Sequence, residues 1–271
     1  MKLPFAQIDA FADKPFAGNQ AAVMPLDAWL ADEILQAIAE ENNVAETAFF
    51  LPDATGQADY ELRWFTPAVE VALCGHATLA SGHFVLSADP ARDRVTFRTR
   101  KAGVLEVARD GDRYAMALPA YPPQPKALPD VLRALGIANA ETLHHPGGYD
   151  LTVLDSAEAV LALTPDFRAL AAIGDTLNIV TAPGRAPSSE AGAGTDVISR
   201  VFAPAAGIDE DPVTGSAHSV LTPYWAKRLG QDSFTAYQAS KRGGHVACTL
   251  AGDRAILGGK CVTVIEGEFT L

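Results

Sequence analysis

The chain has 271 residues, is 48% hydrophobic and 20% charged, and carries a formal net charge of −12 without a basic run. That composition describes a globular protein of one large or two ordinary domains. It excludes a nucleic-acid or anionic-membrane surface, which needs concentrated Lys and Arg, and no apolar run reaches membrane-spanning length.

The first residues, Met1-Lys2-Leu3-Pro4-Phe5-Ala6, lack the apolar core of a signal peptide. Phe5 to Phe11 and Thr47 to Leu51 read as strands. Between them Asp27 to Glu41 reads as a helix, with Asp27 as its cap and Leu30, Ile34, Leu35 and Ile38 as its apolar face. Tyr60 to Phe65 alternates as a strand, and Val95 to Thr99, Val104 to Ala108 and Tyr114 to Leu118 form a meander around turns such as Asp110-Gly111-Asp112. Leu118 to Pro125 holds four prolines, which exclude helix and central strand alike, so this stretch is the expected linker. It divides an N-terminal half, 1–118, to which the last strand 262–271 can also belong, from a C-terminal half, 119–261. A second Gly/Pro/Ser-rich loop runs from Pro183 to Gly194.

The second half repeats the first. Phe65-Thr66-Pro67-Ala68 returns as Phe202-Ala203-Pro204-Ala205, and the apolar helical run opened by Gly75-His76-Ala77-Thr78 returns after Gly215-Ser216-Ala217-His218. A helix and strand at Asp27 to Leu51 match Asp166 to Ala182, and the closing meander Val95 to Leu118 matches Thr235 to Thr270. A repeat of two units predicts a pseudo-symmetric pair of α/β halves rather than a solenoid, with a ligand site expected in the cleft between them.

Both glycine-led helix starts, Leu73-Cys74-Gly75-His76-Ala77-Thr78 and Asp211-Pro212-Val213-Thr214-Gly215-Ser216-Ala217-His218, place small residues where free backbone N–H groups and the helix dipole can hold a carboxylate. The plainer reading is close helix–strand packing; the matched pairing favours function. Glu46 opens an apolar strand, where burial of its charge would be costly and would raise its pKa into the range of a working base and acid; otherwise it is a strand-edge carboxylate facing water. His76 lies where the helix dipole is expected to keep it neutral and able to exchange a proton, or it only caps and packs. Asp211 can orient a histidine or a substrate hydroxyl, or be an ordinary loop carboxylate. Cys74 is either a thiolate with its pKa lowered by the helix N-terminus or a small buried residue. Cys248 and Cys261 read as core. With three widely spaced cysteines there is neither a disulfide framework nor a clustered zinc site, and a reducing cytoplasm is expected. His144-His145 reads as a loop without a third ligand at metal spacing, so no metal is expected. There is no G-x-S-x-G elbow, P-loop, dinucleotide fingerprint or lysine in a cofactor context, so no cofactor is expected either.

These stretches, together with Asp9-Ala10-Phe11, Pro15-Phe16-Ala17-Gly18-Asn19-Gln20, Ala45-Glu46-Thr47-Ala48-Phe49, Arg63-Trp64-Phe65-Thr66-Pro67, Ser199-Arg200-Val201-Phe202-Ala203-Pro204 and Arg242-Gly243-Gly244, resemble the phenazine-biosynthesis-like PhzF family over essentially the whole chain. That resemblance implies an α+β fold of two pseudo-symmetric halves, each a mixed, barrel-like β-sheet wrapped around a central α-helix, as in diaminopimelate epimerase. It also implies a homodimer and a cofactor-independent isomerase acting on a small carboxylate-bearing substrate. The family's acid/base glutamate maps onto Glu46 and its supporting groups onto His76, Asp211 and Ser216. Asn19, Cys74, Gly75, Ala77, Thr214 and Gly215 are placed around the substrate. The epimerase relatives use one cysteine per half; Cys74 fits the first position, but Asp211-Pro212 occupies the second loop, so a two-thiol mechanism is not supported. Gln20 stands where many members have proline. The competing readings are an amino-acid epimerase with Glu46 and Cys74 as opposed bases, and a non-catalytic small-ligand binder.

Overall fold

The structure, a computed structural model, describes residues 1–184 and 192–271, so the middle of the expected 183–194 loop lies outside the described residues. The chain divides into one unit of Met1–Leu118 with Gly258–Leu271 and a second of Pro119–Leu257.

The first unit runs β1 (Lys2–Ala10), β2 (Asn19–Pro25), α1 (Asp32–Asn42), β3 (Glu46–Pro52), β4 (Tyr60–Phe65), β5 (Glu70–Val71), α2 (Gly75–Ala88), β6 (Arg94–Thr99), β7 (Val104–Asp110) and β8 (Arg113–Pro119). Its strands pair β1–β2 antiparallel, β2–β3 parallel, β3–β4 antiparallel, β4–β6 parallel, and β6–β7 and β7–β8 antiparallel. α2 is apolar around its whole circumference, which only an enclosed helix tolerates. Every residue from Gly75 to Gly82 is buried, and the helix packs on β1, β2, β3, β6 and β7. Gly82 sets how closely it approaches: a Cβ there would lie 2.4 Å from the Val107 side chain of β7.

The second unit runs β9 (Gln124–Pro125), α3 (Pro129–Ala134), β10 (Glu141–His145), β11 (Tyr149–Val153), α4 (Ala157–Leu161), α5 (Phe167–Ile173), β12 (Leu177–Pro183), β13 (Val197–Phe202), a 3-10 turn (Pro204–Ala206), α6 (Gly215–Leu229), β14 (Ser233–Gln238), β15 (Gly244–Ala251) and β16 (Arg254–Gly259). Its pairings repeat the succession of the first unit: β10–β11 antiparallel, β11–β12 parallel, β12–β13 antiparallel, β13–β14 parallel and β14–β15 antiparallel. α6 is its buried helix, and it tolerates the internal Pro223 for a specific reason. Proline has no N–H for the Ser219 carbonyl, and Tyr121 N–H donates to that carbonyl instead, at 2.9 Å. β17 (Cys261–Thr270) completes the first unit, running antiparallel to β1 with Lys2 opposite Thr270. The architecture is therefore the α+β fold expected, a mixed sheet around one central helix in each unit.

Several local expectations are corrected. The helix expected from Asp27 starts at Asp32, and Ala31, not Asp27, precedes it. Residues ahead of it are held otherwise: Trp29 Nε1 donates to Glu61 at 3.3 Å and its ring lies 5.1 Å from the Arg63 guanidinium. The first strand stops at Ala10 because Phe11 turns to φ +57°. The second closing meander ends at Gly259, the last strand pairing with β1 instead. His144 and His145 end β10 rather than lie in a loop, and His144 Nδ1 bonds Asp150 at 2.7 Å. Among the described residues no helix is long and apolar enough to cross a membrane.

Candidate active site

Three chain segments of the first unit converge on one imidazole. Asn19 opens β2 directly after Gly18, whose φ of +63° and 2.1 Å approach of a would-be Cβ to the Ala10 carbonyl admit only glycine. Glu46 opens β3, and Cys74 precedes α2. His76, in the first turn of α2, has Nε2 3.0 Å from Glu46 Oε2, while its Nδ1 lies 3.2 Å from Asn19 Nδ2 and 3.5 Å from Cys74 Sγ. His76 and Cys74 are each 5% exposed, and the Glu46 side chain is 15% exposed.

The electrostatics differ from both sequence expectations. Burial works against a charged His76 ring, but Cys74 and Glu46 outweigh it and raise the ring well above the ordinary histidine value. Burial, reinforced by Glu46, pushes the Cys74 thiol up rather than down. A helix dipole alone would have left the ring neutral and the thiol acidic; the adjacent carboxylate and desolvation override it.

Cys74 takes extended backbone at the start of α2, where Thr78 N–H donates to the Cys74 carbonyl at 3.2 Å and the Ala77 amide reaches the Cys74 sulfur. The Gly75 and His76 amides precede the first intrahelical bond, at the positive end of the dipole. The approach to this turn is anchored by Arg63, which sequence reasoning missed as a functional support. Its Nε and Nη2 donate to the two Glu70 oxygens at 2.8 and 2.9 Å, its Nη1 meets Asp32 at 2.9 Å, and its guanidinium lies 5.0 Å from the Phe65 centroid. The second unit repeats the device: Arg200 forks onto Glu210 at 2.7 and 3.0 Å, 5.0 Å from the Phe202 centroid. The repeated Arg-x-Phe was the signal available in the sequence.

The remaining expected site residues lie in the second unit. Thr214 caps α6; its hydroxyl donates to the Asp211 carboxylate and its N–H to Gln238 Oε1 at 2.9 Å. Gln238 Nε2 returns to the Asp211 carbonyl at 2.7 Å. Asp211 therefore shapes the loop that presents Gly215 and Ser216, and a hydrogen bond links Ser216 to the Tyr149 side chain. Neither Gln238 nor Tyr149 carried a signal in the sequence, since a polar residue inside a strand reveals nothing about the loop it will meet. The structure thus groups Asn19, Glu46, Cys74, Gly75, His76 and Ala77 in the first unit, and Asp211, Thr214, Gly215 and Ser216 in the second. The expectation that no metal site exists rested on the wide spacing of the cysteines and on His144-His145; among the described residues the group that could hold an ion is Glu46, Cys74 and His76, whose donor atoms all lie within 4.8 Å of one another.

Comparison with known proteins bears on the family and the fold. An uncharacterized isomerase of Pseudomonas aeruginosa is 48% identical over 273 residues, covering all of both chains. A crystal structure of a PhzF-family phenazine biosynthesis protein from Enterococcus faecalis superposes with a TM-score of 0.89 at 41% identity, again over all of both chains. A hydroxyproline epimerase from Agrobacterium vitis, at 14% identity over 98% of this chain and 92% of its own, shares the fold with a TM-score of 0.61. With the phenazine biosynthesis-like family model matching residues 8–267, the chain belongs to the PhzC–PhzF family of phenazine biosynthesis-like proteins and is an isomerase.

Proposed function

We propose that the protein is a cofactor-independent isomerase that moves a proton between two carbons of a small carboxylate-bearing substrate, with Glu46 as both base and acid. The observation that carries this reading is the 3.0 Å contact of Glu46 with His76 at the start of α2. The first-turn amides of Gly75 and His76 hold the substrate carboxylate. Glu46 removes a proton from one carbon, and His76, charged beside it, balances the change in charge as the proton arrives and leaves. Glu46 then returns the proton to the second carbon. General acid–base catalysis of this kind is worth roughly 10²–10⁴ in rate, and positioning adds to it. Asp211 contributes by holding the Thr214 cap and with it the first turn of α6.

The epimerase reading is less well supported. Two opposed bases must each come within ~3–3.5 Å of a carbon lying between them, a separation of about 6–7 Å. The Glu46 and Cys74 donor atoms lie within 4.8 Å of each other, closer than that separation. The burial-raised thiol is also a poor base near neutrality. A single shuttling carboxylate needs no second base. The family resemblance further supports a homodimer, and the wide spacing of three cysteines a reducing cytoplasm, for which sedimentation and fractionation are the measurements.

A metabolite screen by thermal shift with wild type and Glu46→Gln tests the reading. A true substrate stabilises both proteins, and only wild type converts it. Full conversion by Glu46→Gln would remove Glu46 from the mechanism.

A further inference from the structure

We infer that Glu46, Cys74 and His76 together bind a thiophilic divalent cation of the zinc class, and that the bound cation blocks the site. The donor set is one sulfur, one imidazole nitrogen and one carboxylate oxygen. That mixture suits zinc with a fourth position left open, whereas magnesium and calcium select oxygen ligands. The spacing suits it as well. Glu46 Oε2 and His76 Nε2 are 3.0 Å apart, Cys74 Sγ and His76 Nε2 are 4.0 Å apart, and all three donors fall within 4.8 Å. A tetrahedral ion with bonds of about 2.0–2.3 Å has ligand-to-ligand edges of about 3.3–3.7 Å, so side-chain shifts of about 1 Å or less close the site.

The surroundings of Glu46 Oε2 suit an ion as well. This oxygen is buried and, apart from its 3.0 Å contact with His76 Nε2, makes no hydrogen bond among the described residues. A cation bound between the two takes the place of the imidazolium proton as the charge beside this oxygen. Coordination expels the thiol proton to solvent and leaves a thiolate on the ion. Occupancy takes the oxygen that carries the proton in the proposed isomerisation, so cation and substrate exclude each other. That exclusion rests on the proposed function, while the binding itself does not.

The test uses Co²⁺ as an optical probe, titrated into the full-length protein freed of metal and kept reduced with a phosphine. The expected result is one equivalent bound, with a thiolate-to-cobalt charge-transfer band in the near ultraviolet and the visible bands of a four-coordinate ion, all erased by added Zn²⁺. Cys74→Ser abolishes the charge-transfer band and weakens binding about 100-fold or more. Because Cys248 and Cys261 remain, a band that survives in Cys74→Ser overturns the assignment, as does the absence of a band in wild type. Should Cys74→Ser fail to fold, alkylation of wild type decides: Zn²⁺ must protect Cys74, and equal labelling with and without Zn²⁺ contradicts the site. Zinc that binds without slowing turnover would refute the exclusion, and loss of cobalt binding alone would leave the isomerase reading untouched.

Discussion

Glu46 and Leu177 occupy corresponding positions in the two units. Each directly precedes the residue, Thr47 or Asn178, that pairs with the phenylalanine closing the next strand, Phe65 or Phe202. Across the same correspondence Gly75 matches Gly215, so His76 matches Ser216 and Cys74 matches Thr214. The duplication has kept the scaffold, down to the Arg63 and Arg200 forks, and has concentrated the titrating groups in the first unit. The proposed single-base reaction asks for no more than this arrangement.

The Arg63 fork supports the approach to α2 through shape as well as charge. Arg63→Lys keeps the charge but loses the two parallel bonds to Glu70 and the flat contact with Phe65. The expected cost is about 1–2 kcal/mol in a urea titration, with a lowered kcat/KM. Unchanged stability would show that Glu70 and Asp32, both partly solvated, are satisfied by water.

His76 makes stability depend on pH in a defined direction. Its folded pKa lies well above the unfolded value of 6.5. The ion pair with Glu46 therefore contributes fully below pH 6.5 and is lost as pH rises through the folded value. The difference in unfolding free energy between wild type and His76→Gln is expected to shrink as pH rises through that range. A difference that grows with pH would mean that the ring folds neutral.

His218 behaves in the opposite sense. It is fully buried on α6, its Nδ1–H donating to the Thr214 carbonyl at 2.8 Å, and burial pushes its pKa down to about 4. The unfolded chain takes up the proton near pH 6.5 and the folded one only near 4, so stability is lost as pH falls across that interval. The loss amounts to about 3 kcal/mol at most. Chemical denaturation at descending pH should show this slope in wild type and a flatter one in His218→Gln; equal slopes would place the acid sensitivity elsewhere.

Much of this was legible in the residues, and the failures have physical causes. Tyr60 to Phe65 alternates cleanly and is β4 as read, and the repeated Phe-x-Pro-Ala with a glycine-led helix correctly announced two copies of one topology. Asp27 misled because cap propensity is local, whereas Trp29 is held by Glu61 and Arg63, which lie some thirty residues further along the chain. Glu46, Cys74 and His76 were each visible as candidates. The charge states of Cys74 and His76 were not, because a pKa is set by burial and by neighbours brought in from other strands. Gln238 and Tyr149 were silent for the same reason: their roles exist only once β14 and β11 stand beside the start of α6.

The central claim is that Glu46 carries the proton. It is tested most directly by following carbon-bound hydrogen exchange into D₂O by NMR, on a ligand that stabilises the protein, with wild type and Glu46→Gln side by side. Wild type should exchange and isomerise the ligand, and Glu46→Gln should bind it while both rates fall by roughly 10²–10⁴. Exchange at the wild-type rate in Glu46→Gln would contradict the account.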